Sequence, residues 1–407
     1  MKTKTHHLLT LGAALLLAPL TSTFAQSTWQ TVDALTPYAG RAIVADSSGR
    51  FISLAISTNS TTSPVSTVVS VSADTGLNWQ TAGVIPGYAL KLAAAPDGTL
   101  YAAGNRSATV SGKAFVWFSQ DHGATWGVSD PWLGITNTYP QTNVFLEADL
   151  AAGNSGAVYV CGYIATPRWI VRKGVPSSAG NFTWTTVDNS INGQPSSIAI
   201  RPGPAGQPDD IVVCGKASSS WTVRRSADGG ATWTTVEAAN LGTPSSVAVG
   251  ANGELYVNGT SSTNIITGTN VTTTIVHHQK VVTTNYTTTT LSGWLVQKST
   301  DGGANWTSVD FAVNGRPAPA RSLLADAFGR VFAVGILTTT PNTWIVRGSP
   351  DGGNTWIPTD SFAPPTGYTS AAAVGVACDA LGNVCVVGDL EGGTGSTPVA
   401  PIRRLAP

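Results

Sequence analysis

Short runs of apolar and β-branched residues alternate with turns rich in Gly, Asp and Ser along most of the chain. In residues 42–51, an apolar run is followed by the tight turn Asp-Ser-Ser-Gly-Arg and by a second run that begins at Phe51. Residues 322–331 repeat this arrangement. Runs of this length, bounded by turn residues, predict β-strands joined as hairpins. Because no stretch beyond the N-terminal segment has sustained helical periodicity, the pattern predicts an all-β fold of many short strands.

One eight-residue pattern, Ser-x-Asp-x-Gly-x-(Thr/Asn)-Trp, recurs five times, and we name it the box. Each box lies between two strand-like runs and has a further hairpin upstream, so one repeat contains four strands with short turns after the first and third. Such a repeat is one blade of a β-propeller. A degenerate sixth copy ends at Trp184, and a half-copy opens the chain at residues 27–33. The complete boxes span residues 72–79, 119–126, 226–233, 299–306 and 349–356.

The residue types of the box fit a structural role. A short carboxylate can accept hydrogen bonds from the amides of a turn, and the Gly tolerates a positive φ. The Trp can bury a large apolar area where the last strand begins. We therefore interpret the five box aspartates as structural rather than catalytic; they are Asp74, Asp121, Asp228, Asp301 and Asp351.

The two ends of the chain predict how the ring closes. Residues 401–405 match the third strand of an earlier repeat, and the chain stops where a fourth strand is due. The half-copy at residues 27–33 supplies that missing strand, which would hide both sheet edges. The sequence thus predicts a seven-bladed β-propeller of four-stranded blades over residues 26–407, its last blade closed by the N-terminal strand. A Thr-rich stretch at about 261–292 is predicted as a hairpin insertion.

These repeats resemble the Asp-box, or bacterial neuraminidase repeat (BNR), propellers of the sialidase-like superfamily, in their secreted bacterial form. The resemblance rests on the five complete boxes and covers essentially all of the chain after residue 25. It implies the propeller fold. Members of this superfamily include sialidases, xyloglucan-degrading hydrolases, sortilin-type receptors and photosystem II assembly factors, so the resemblance leaves enzyme and binding roles open.

The first 25 residues are typical of a secretory signal peptide. Lys2 and Lys4 precede an apolar run over residues 8–20, and Thr-Phe-Ala before Gln26 resembles a cleavage site. We expect a secreted or periplasmic protein that is not inserted in a membrane after cleavage.

Four cysteines follow the predicted cleavage site, in a compartment where disulfides can persist. Cys378 and Cys385 flank a short turn, so a disulfide across that hairpin is a candidate. Cys161 and Cys214 occupy equivalent places in two repeats, and the sequence leaves their state open.

The balance of charges and the absence of certain motifs disfavour several classes of ligand. Lys+Arg and Asp+Glu both number 22, which argues against nucleic acid, whose binding relies on a basic surface. No metal-binding Cys/His spacing, phosphate loop or dinucleotide fingerprint is present. We expect no cofactor, a monomer, and a carbohydrate or protein ligand.

The segments between blades carry the candidate binding residues. Tyrosines precede four consecutive innermost strands, and cations lie near the starts of such strands. Aromatic rings can stack on sugars, and Arg can hold a carboxylate. These residues could therefore form a crescent-shaped binding surface along one side of the central channel of the ring. Alternatively, the tyrosines pack the segments between blades. The candidates are Tyr38, Arg41, Tyr88, Lys91, Trp132, Tyr139, Arg316, Arg321 and Tyr368.

The alternative of a sialidase-like glycoside hydrolase has little support. The Arg-Ile-Pro signature that the resemblance would imply is absent, and Arg41-Ala42-Ile43 is its nearest approach. Glu147 and Asp149 are the only carboxylate pair in an innermost strand, where alternate spacing would place both on one side. Hydrolysis of a sugar needs two carboxylates across the scissile bond. We therefore expect a non-catalytic binding or scaffold propeller; a role in assembling an envelope or membrane complex is a further alternative.

Overall fold

A computed structural model describes residues 28–57, 66–105, 114–130, 146–164, 168–177, 181–201, 206–276, 279–313, 320–392 and 397–407. The predicted signal peptide lies outside these residues. Within them, 28 strands form seven antiparallel sheets of four strands each. The protein is a seven-bladed β-propeller, which confirms the fold predicted from the repeats. Nowhere in the described ranges is there a helix of the length and apolar character needed to span a bilayer.

The strands are numbered β1 to β28 in chain order. Blades 1 and 2 contain β2 Tyr38–Ala45, β3 Phe51–Ser57, β4 Thr67–Ser72, β5 Gln80–Ile85, β6 Tyr88–Ala94, β7 Leu100–Asn105, β8 Ala114–Ser119 and β9 Gly127–Asp130. Blades 3 and 4 contain β10 Leu146–Ala152, β11 Val158–Ile164, β12 Arg168–Pro176, β13 Phe182–Asp188, β14 Gln194–Arg201, β15 Asp210–Ala217, β16 Ser220–Ser226 and β17 Thr234–Ala239. Blades 5 and 6 contain β18 Thr243–Val249, β19 Leu255–Val276, β20 Gln279–Ser299, β21 Thr307–Val313, β22 Ala320–Ala325, β23 Val331–Leu337, β24 Thr343–Ser349 and β25 Ile357–Phe362. Blade 7 contains β26 Tyr368–Cys378, β27 Val384–Gly392, β28 Ala400–Leu405 and, from the other end of the chain, β1 Gln30–Leu35.

The first strand of each blade lies innermost and contacts the first strands of both neighbouring blades, so the ring is closed. In blade 7, β1 pairs antiparallel with β28, from Gln30 opposite Arg404 to Leu35 opposite Ala400. The predicted closure by the N-terminal strand is therefore confirmed. It joins the two ends of the chain in one sheet, which leaves no open seam in the ring.

The turns of the blades divide the molecule into two faces. The turns after the first and third strands, such as residues 46–50 and 73–79, lie on one face, which we name the box face. The segments between blades and the turns after the second strands, such as residues 86–87 and 218–219, lie on the other, the loop face. The long strands β19 and β20 extend on the loop face and remain paired as far as Val276 opposite Gln279.

The hydrophobic core lies between the blades, because each cluster of buried residues combines strands of two neighbouring sheets. The largest buried side chains are tryptophans of third strands rather than those of the boxes, which are only half-buried. Each of these third-strand rings fills a space between two sheets and so contributes strongly to stability. They are Trp117, Trp169, Trp221, Trp294 and Trp344.

A β-bulge interrupts the innermost strand of every blade at the same place. One residue is skipped in the register with the second strand, which breaks the alternation of side chains and re-aims them. A bulge ring of this kind leaves no trace in the hydrophobic pattern. The skipped residues are Arg41, Leu90, Ala148, Ser196, Ser245, Arg321 and Val374.

All four cysteines are free thiols, which corrects the expected disulfide between Cys378 and Cys385. Cys378 lies opposite Val384 in the register and Cys385 opposite Ala377, so the two side chains point to opposite faces of the sheet. Cys378 contacts Arg330 of blade 6, whereas Cys385 is buried on the side of blade 1. A bond between them does not fit this geometry.

Candidate functional site

The box turns hold themselves together through their Ser and Asp side chains. In blade 4, Asp228 Oδ1 accepts hydrogen bonds from the Thr232 amide at 2.8 Å and the Ser226 hydroxyl at 2.8 Å, while Oδ2 accepts the Thr232 hydroxyl at 2.6 Å. The Ser226 oxygen in turn accepts the Gly230 amide at 2.9 Å. These bonds, first that from the Thr232 hydroxyl, lower the pKa of Asp228 to about 2. The box carboxylates are thus engaged within their own turns.

Each box is also tied to the preceding blade. In four of them, the carbonyl oxygen of the residue after the Asp accepts a hydrogen bond from a cation on the preceding blade's third strand. The pairs are Arg404 to Thr75 at 2.6 Å, Lys173 to Gly229 at 3.1 Å, Arg225 to Gly302 at 3.0 Å and Lys298 to Gly352 at 2.6 Å.

The fifth box uses a different contact for the same purpose. Its residue after the Asp is His122, whose Nδ1 lies 3.0 Å from Oδ2 of Asp46 in blade 1. Blade 1 has Val71 where the four donating blades have the Lys or Arg, and the side chain of valine cannot donate a hydrogen bond. His122 therefore substitutes for the missing cation across the junction of blades 1 and 2.

Farther along the third strands, buried arginines form ion pairs with aspartates of the preceding blade's outer strand. Arg224 and Asp188 are both almost fully buried, and the pair is bidentate at 2.7 and 3.2 Å. Paired and hydrogen-bonded charges of this kind fix the orientation of one blade on the next. The equivalent pairs are Arg347 with Asp310 and Arg403 with Asp360, both at 2.7 to 2.8 Å.

Two of the predicted cations, Arg41 and Arg321, occupy the bulge position in the innermost strands of blades 1 and 6. Blade 7 lies between these two blades, and its second strand contributes Asp389. Arg41 Nη1 lies 2.8 Å from Oδ2 of Asp389, whose side chain is only 5% exposed. Arg321 is close enough to influence Asp389 electrostatically, yet it has no hydrogen bond or ion pair with any described residue. The bulges thus place two cations beside one buried carboxylate.

Asp389 is an unusual carboxylate in this molecule. Its Oδ1 is buried and accepts no hydrogen bond from any residue that the structure describes. Burial raises the pKa of Asp389 above the usual 3.8, although Arg41 and then Arg321 favour the ionised form. Sequence reasoning missed this residue because it lies on a second strand, within the apolar run of residues 384–390, where no local pattern marks it as part of a site.

A second charged pair links blades 2 and 3. Lys91 Nζ lies 4.0 Å from Oδ1 of Asp149, and Asp149 Oδ2 accepts the Ser197 hydroxyl at 2.7 Å and the Ile198 amide at 3.2 Å. Asp149 also contributes, after burial, to the raised pKa of the neighbouring thiol of Cys161. Asp149 therefore bridges three blades as a structural anion.

The bulge corrects one expectation about the candidate acid pair. Glu147 lies opposite Gly162 and Asp149 opposite Cys161, so the two carboxylate positions face adjacent residues of β11 rather than alternate ones. Their spacing therefore does not place them on one side of the strand, because adjacent residues of a strand point to opposite sides. The side chain of Glu147 lies outside the described part of the structure.

The structure brings together part of the predicted crescent. Tyr38, Tyr88 and Tyr368 are the first residues of three innermost strands and are half-buried, and Tyr368 donates a hydrogen bond to the Thr397 carbonyl at 3.0 Å. Together with Arg41, Lys91 and Arg321, they belong to blades 6, 7, 1 and 2. The other predicted members, Trp132, Tyr139 and Arg316, lie outside the described residues. Among the residues that are described, no group of three or more His, Cys, Asp or Glu is placed to hold a metal ion.

Comparisons with known proteins show the fold. No protein-family model matches the chain, and no curated protein matches its sequence. Among solved structures, it is similar to YCF48 bound to D1 peptide, with 10% identity, a TM-score of 0.52 and coverage of 94% of this chain and 96% of that one. A fungal alcohol oxidase of the AA5 family, in complex with copper, gives 13% identity, a TM-score of 0.54 and coverage of 94% and 76%. A Hadza microbial sialidase, Hz136, gives 15% identity, a TM-score of 0.42 and coverage of 89% and 65%. The chain is thus a seven-bladed β-propeller whose structural neighbours differ in function.

Proposed function

We propose that the protein is an exported, non-catalytic binding propeller of the Asp-box type that holds a carboxylate-bearing ligand at the channel mouth of its loop face. The observation that carries this proposal is Arg321, a cation with no partner among the described residues, beside the ion pair that Arg41 forms with the buried Asp389. An arginine can hold a carboxylate through two parallel hydrogen bonds. The Arg41–Asp389 pair keeps the surrounding strands in place without using Arg321.

Binding is favoured over catalysis because Asp149 and Asp389, the two aspartates beside the predicted cations, already have partners. Asp149 is paired with Lys91 and accepts two hydrogen bonds from blade 4, and Asp389 is paired with Arg41. Both are held by cations in ion pairs between blades, whereas a glycosidase needs two carboxylates placed across the scissile bond.

The ligand's carboxylate could belong to a protein segment or to an acidic sugar, since both present the same group to an arginine. The YCF48 structure contains a peptide, so a propeller with this arrangement of blades can accommodate one. This likeness supports a protein as the source of the carboxylate.

The test is a binding screen of free-carboxylate peptides and an acidic-glycan array, run beside hydrolysis of a fluorogenic sialoside. Arg321→Ala should weaken binding of the best ligand at least about tenfold, which corresponds to about 1.4 kcal/mol. Arg50→Ala removes one positive charge from the box face and should leave binding unchanged. Peptide hits alone would identify a protein ligand, and glycan hits alone a carbohydrate. Turnover of the sialoside, or binding that is insensitive to Arg321→Ala, would contradict the proposal.

A further inference from the structure

The loop face carries two clefts outside the channel mouth, one in blade 4 and one in blade 5, and each is lined mainly by residues with polar side chains or glycine. Each lies between the segment that leads into the innermost strand and the part of the second strand, or of the turn after it, that faces this segment. The blade 4 cleft has a volume of about 380 Å³ and is lined by Asn192, Gly193, Gln194, Lys216 and Ser218. The blade 5 cleft has a volume of about 330 Å³ and is lined by Asn240, Leu241, Gly242, Thr243, Thr260, Ser261 and Ser262.

The two clefts are built in the same way. Gly193 lies so close to the second strand of its blade that a Cβ atom would be 2.7 Å from the Lys216 carbonyl oxygen. Gly242 approaches the Thr260 carbonyl oxygen in the same manner, and its φ of +125° also favours glycine. The glycines let the leading segment press against the strand, so that polar side chains on either side form the rim. The same subsite is therefore present in two adjacent blades.

The lining groups point to an uncharged, hydroxyl-rich ligand. Among the lining residues, Lys216 is the one with a charge, and the others offer amides, hydroxyls and backbone groups. Side-chain amides and hydroxyls both donate and accept hydrogen bonds, as sugar hydroxyls do. Leu241 adds an apolar surface for the C–H groups of a ring. The blade 4 cleft has one cation, Lys216, and the lining of the blade 5 cleft has none, which favours an uncharged ligand over a phosphate or a carboxylate.

A further feature fits a ligand at the blade 5 cleft. At the blade 5 cleft, strands β19 and β20 rise from the rim, where the hydroxyls of Ser262 and Ser292 lie 2.8 Å apart. A chain lying in this cleft would rest against the base of that ribbon.

We propose that the two clefts are subsites for residues of a neutral glycan chain. A repeated subsite in adjacent blades suits a ligand that is itself a repeat, because each cleft can take one part of the same chain. These clefts are separate from the channel mouth and take a different class of ligand. The proposal for them therefore does not depend on the proposed binding of a carboxylate by Arg321.

The test is calorimetric titration of the full chain with neutral β-1,4-glucan, β-1,3-glucan, mannan and galactan oligosaccharides of one to six residues. Binding of one series should strengthen at least tenfold between the monosaccharide and the longer oligomers, as the second cleft is filled. Gln194→Ala and Asn240→Ala should each weaken the best oligomer at least fivefold, and the double variant more.

Gln30→Ala removes an exposed amide from the outer strand of blade 7 and serves as the matched control. Neither this variant nor Arg321→Ala should change the affinity for neutral oligomers, and melting temperatures would show that all variants are folded. The proposal is overturned if no series binds at millimolar concentration, if affinity is independent of length, or if the cleft variants bind as the unchanged protein does. Loss of binding in Arg321→Ala alone would assign the glycan to the channel mouth instead.

Discussion

The two faces of the propeller use polar side chains in opposite ways. On the box face, each complete box closes its own turn through Ser and Asp, and a contact from the preceding blade or from His122 ties it to its neighbour. On the loop face, Arg321 has no partner in the described part of the chain, and one oxygen of Asp389 accepts no hydrogen bond there. The polar groups of the box face hold neighbouring blades together, whereas the loop face has polar groups that could bind a ligand.

This difference teaches where function can lie in a repeat protein. A contact that recurs in successive blades answers a need that every blade has, namely attachment to the next one. A group that occurs once answers no such need. The departures from the repeat, Arg321 and Asp389, are therefore the places where this chain can differ in activity from any other propeller.

The largest effect is expected from the buried ion pairs between blades. Arg224→Ala leaves Asp188 buried without its cation, and Asp188 is almost fully buried. Removing one partner of a buried pair costs about 3–5 kcal/mol of unfolding free energy. Denaturant unfolding would measure the loss. Arg168→Ala, an exposed arginine that donates to a backbone carbonyl, should cost less than about 1 kcal/mol. A small effect of Arg224→Ala would mean that these pairs do not hold the blades together.

A smaller effect is expected within a box turn. Ser226→Ala removes the acceptor of the buried Gly230 amide and one donor to Asp228. Leaving a buried amide unpaired costs about 1–3 kcal/mol, and thermal and denaturant unfolding would both report it. Ser219→Ala, an exposed serine on the loop face of the same blade, should change the unfolding free energy by less than about 0.5 kcal/mol. Equal effects at the two serines would remove the distinction between the faces.

The repetitive part of the structure could be predicted from the sequence, since five boxes and a split last blade determine the number of strands, the closure and the position of each turn. Single features could not be predicted in this way. The register of Cys378 and Cys385 depends on where the turn begins, and a shift of one residue reverses the side that each faces.

The candidate site was predictable only in part, for the same reason. Arg41 and Arg321 were identified from their places at the starts of innermost strands, but Asp389 lies in an apolar run with no local signal. The bulges in the innermost strands were not predicted either. A skipped residue changes which side chains share a face of the sheet without changing the hydrophobic pattern of the sequence. Glu147 and Asp149 were expected on one side of the strand because side chains of a regular strand alternate, and the bulge between them interrupts this alternation.

The smallest effect on stability is expected at Arg321, and it separates the two faces most clearly. Arg347 lies in the third strand of the same blade and forms a bidentate pair with Asp310, whereas Arg321 is paired with no described residue. Arg321→Ala should therefore change the unfolding free energy by no more than about 0.5 kcal/mol, while Arg347→Ala should cost at least about 2 kcal/mol. Matched denaturant curves of the two variants provide the measurement. If Arg321→Ala destabilised the protein as much as Arg347→Ala, Arg321 would be one more contact that holds the ring, and the loop face would have lost its clearest free cation.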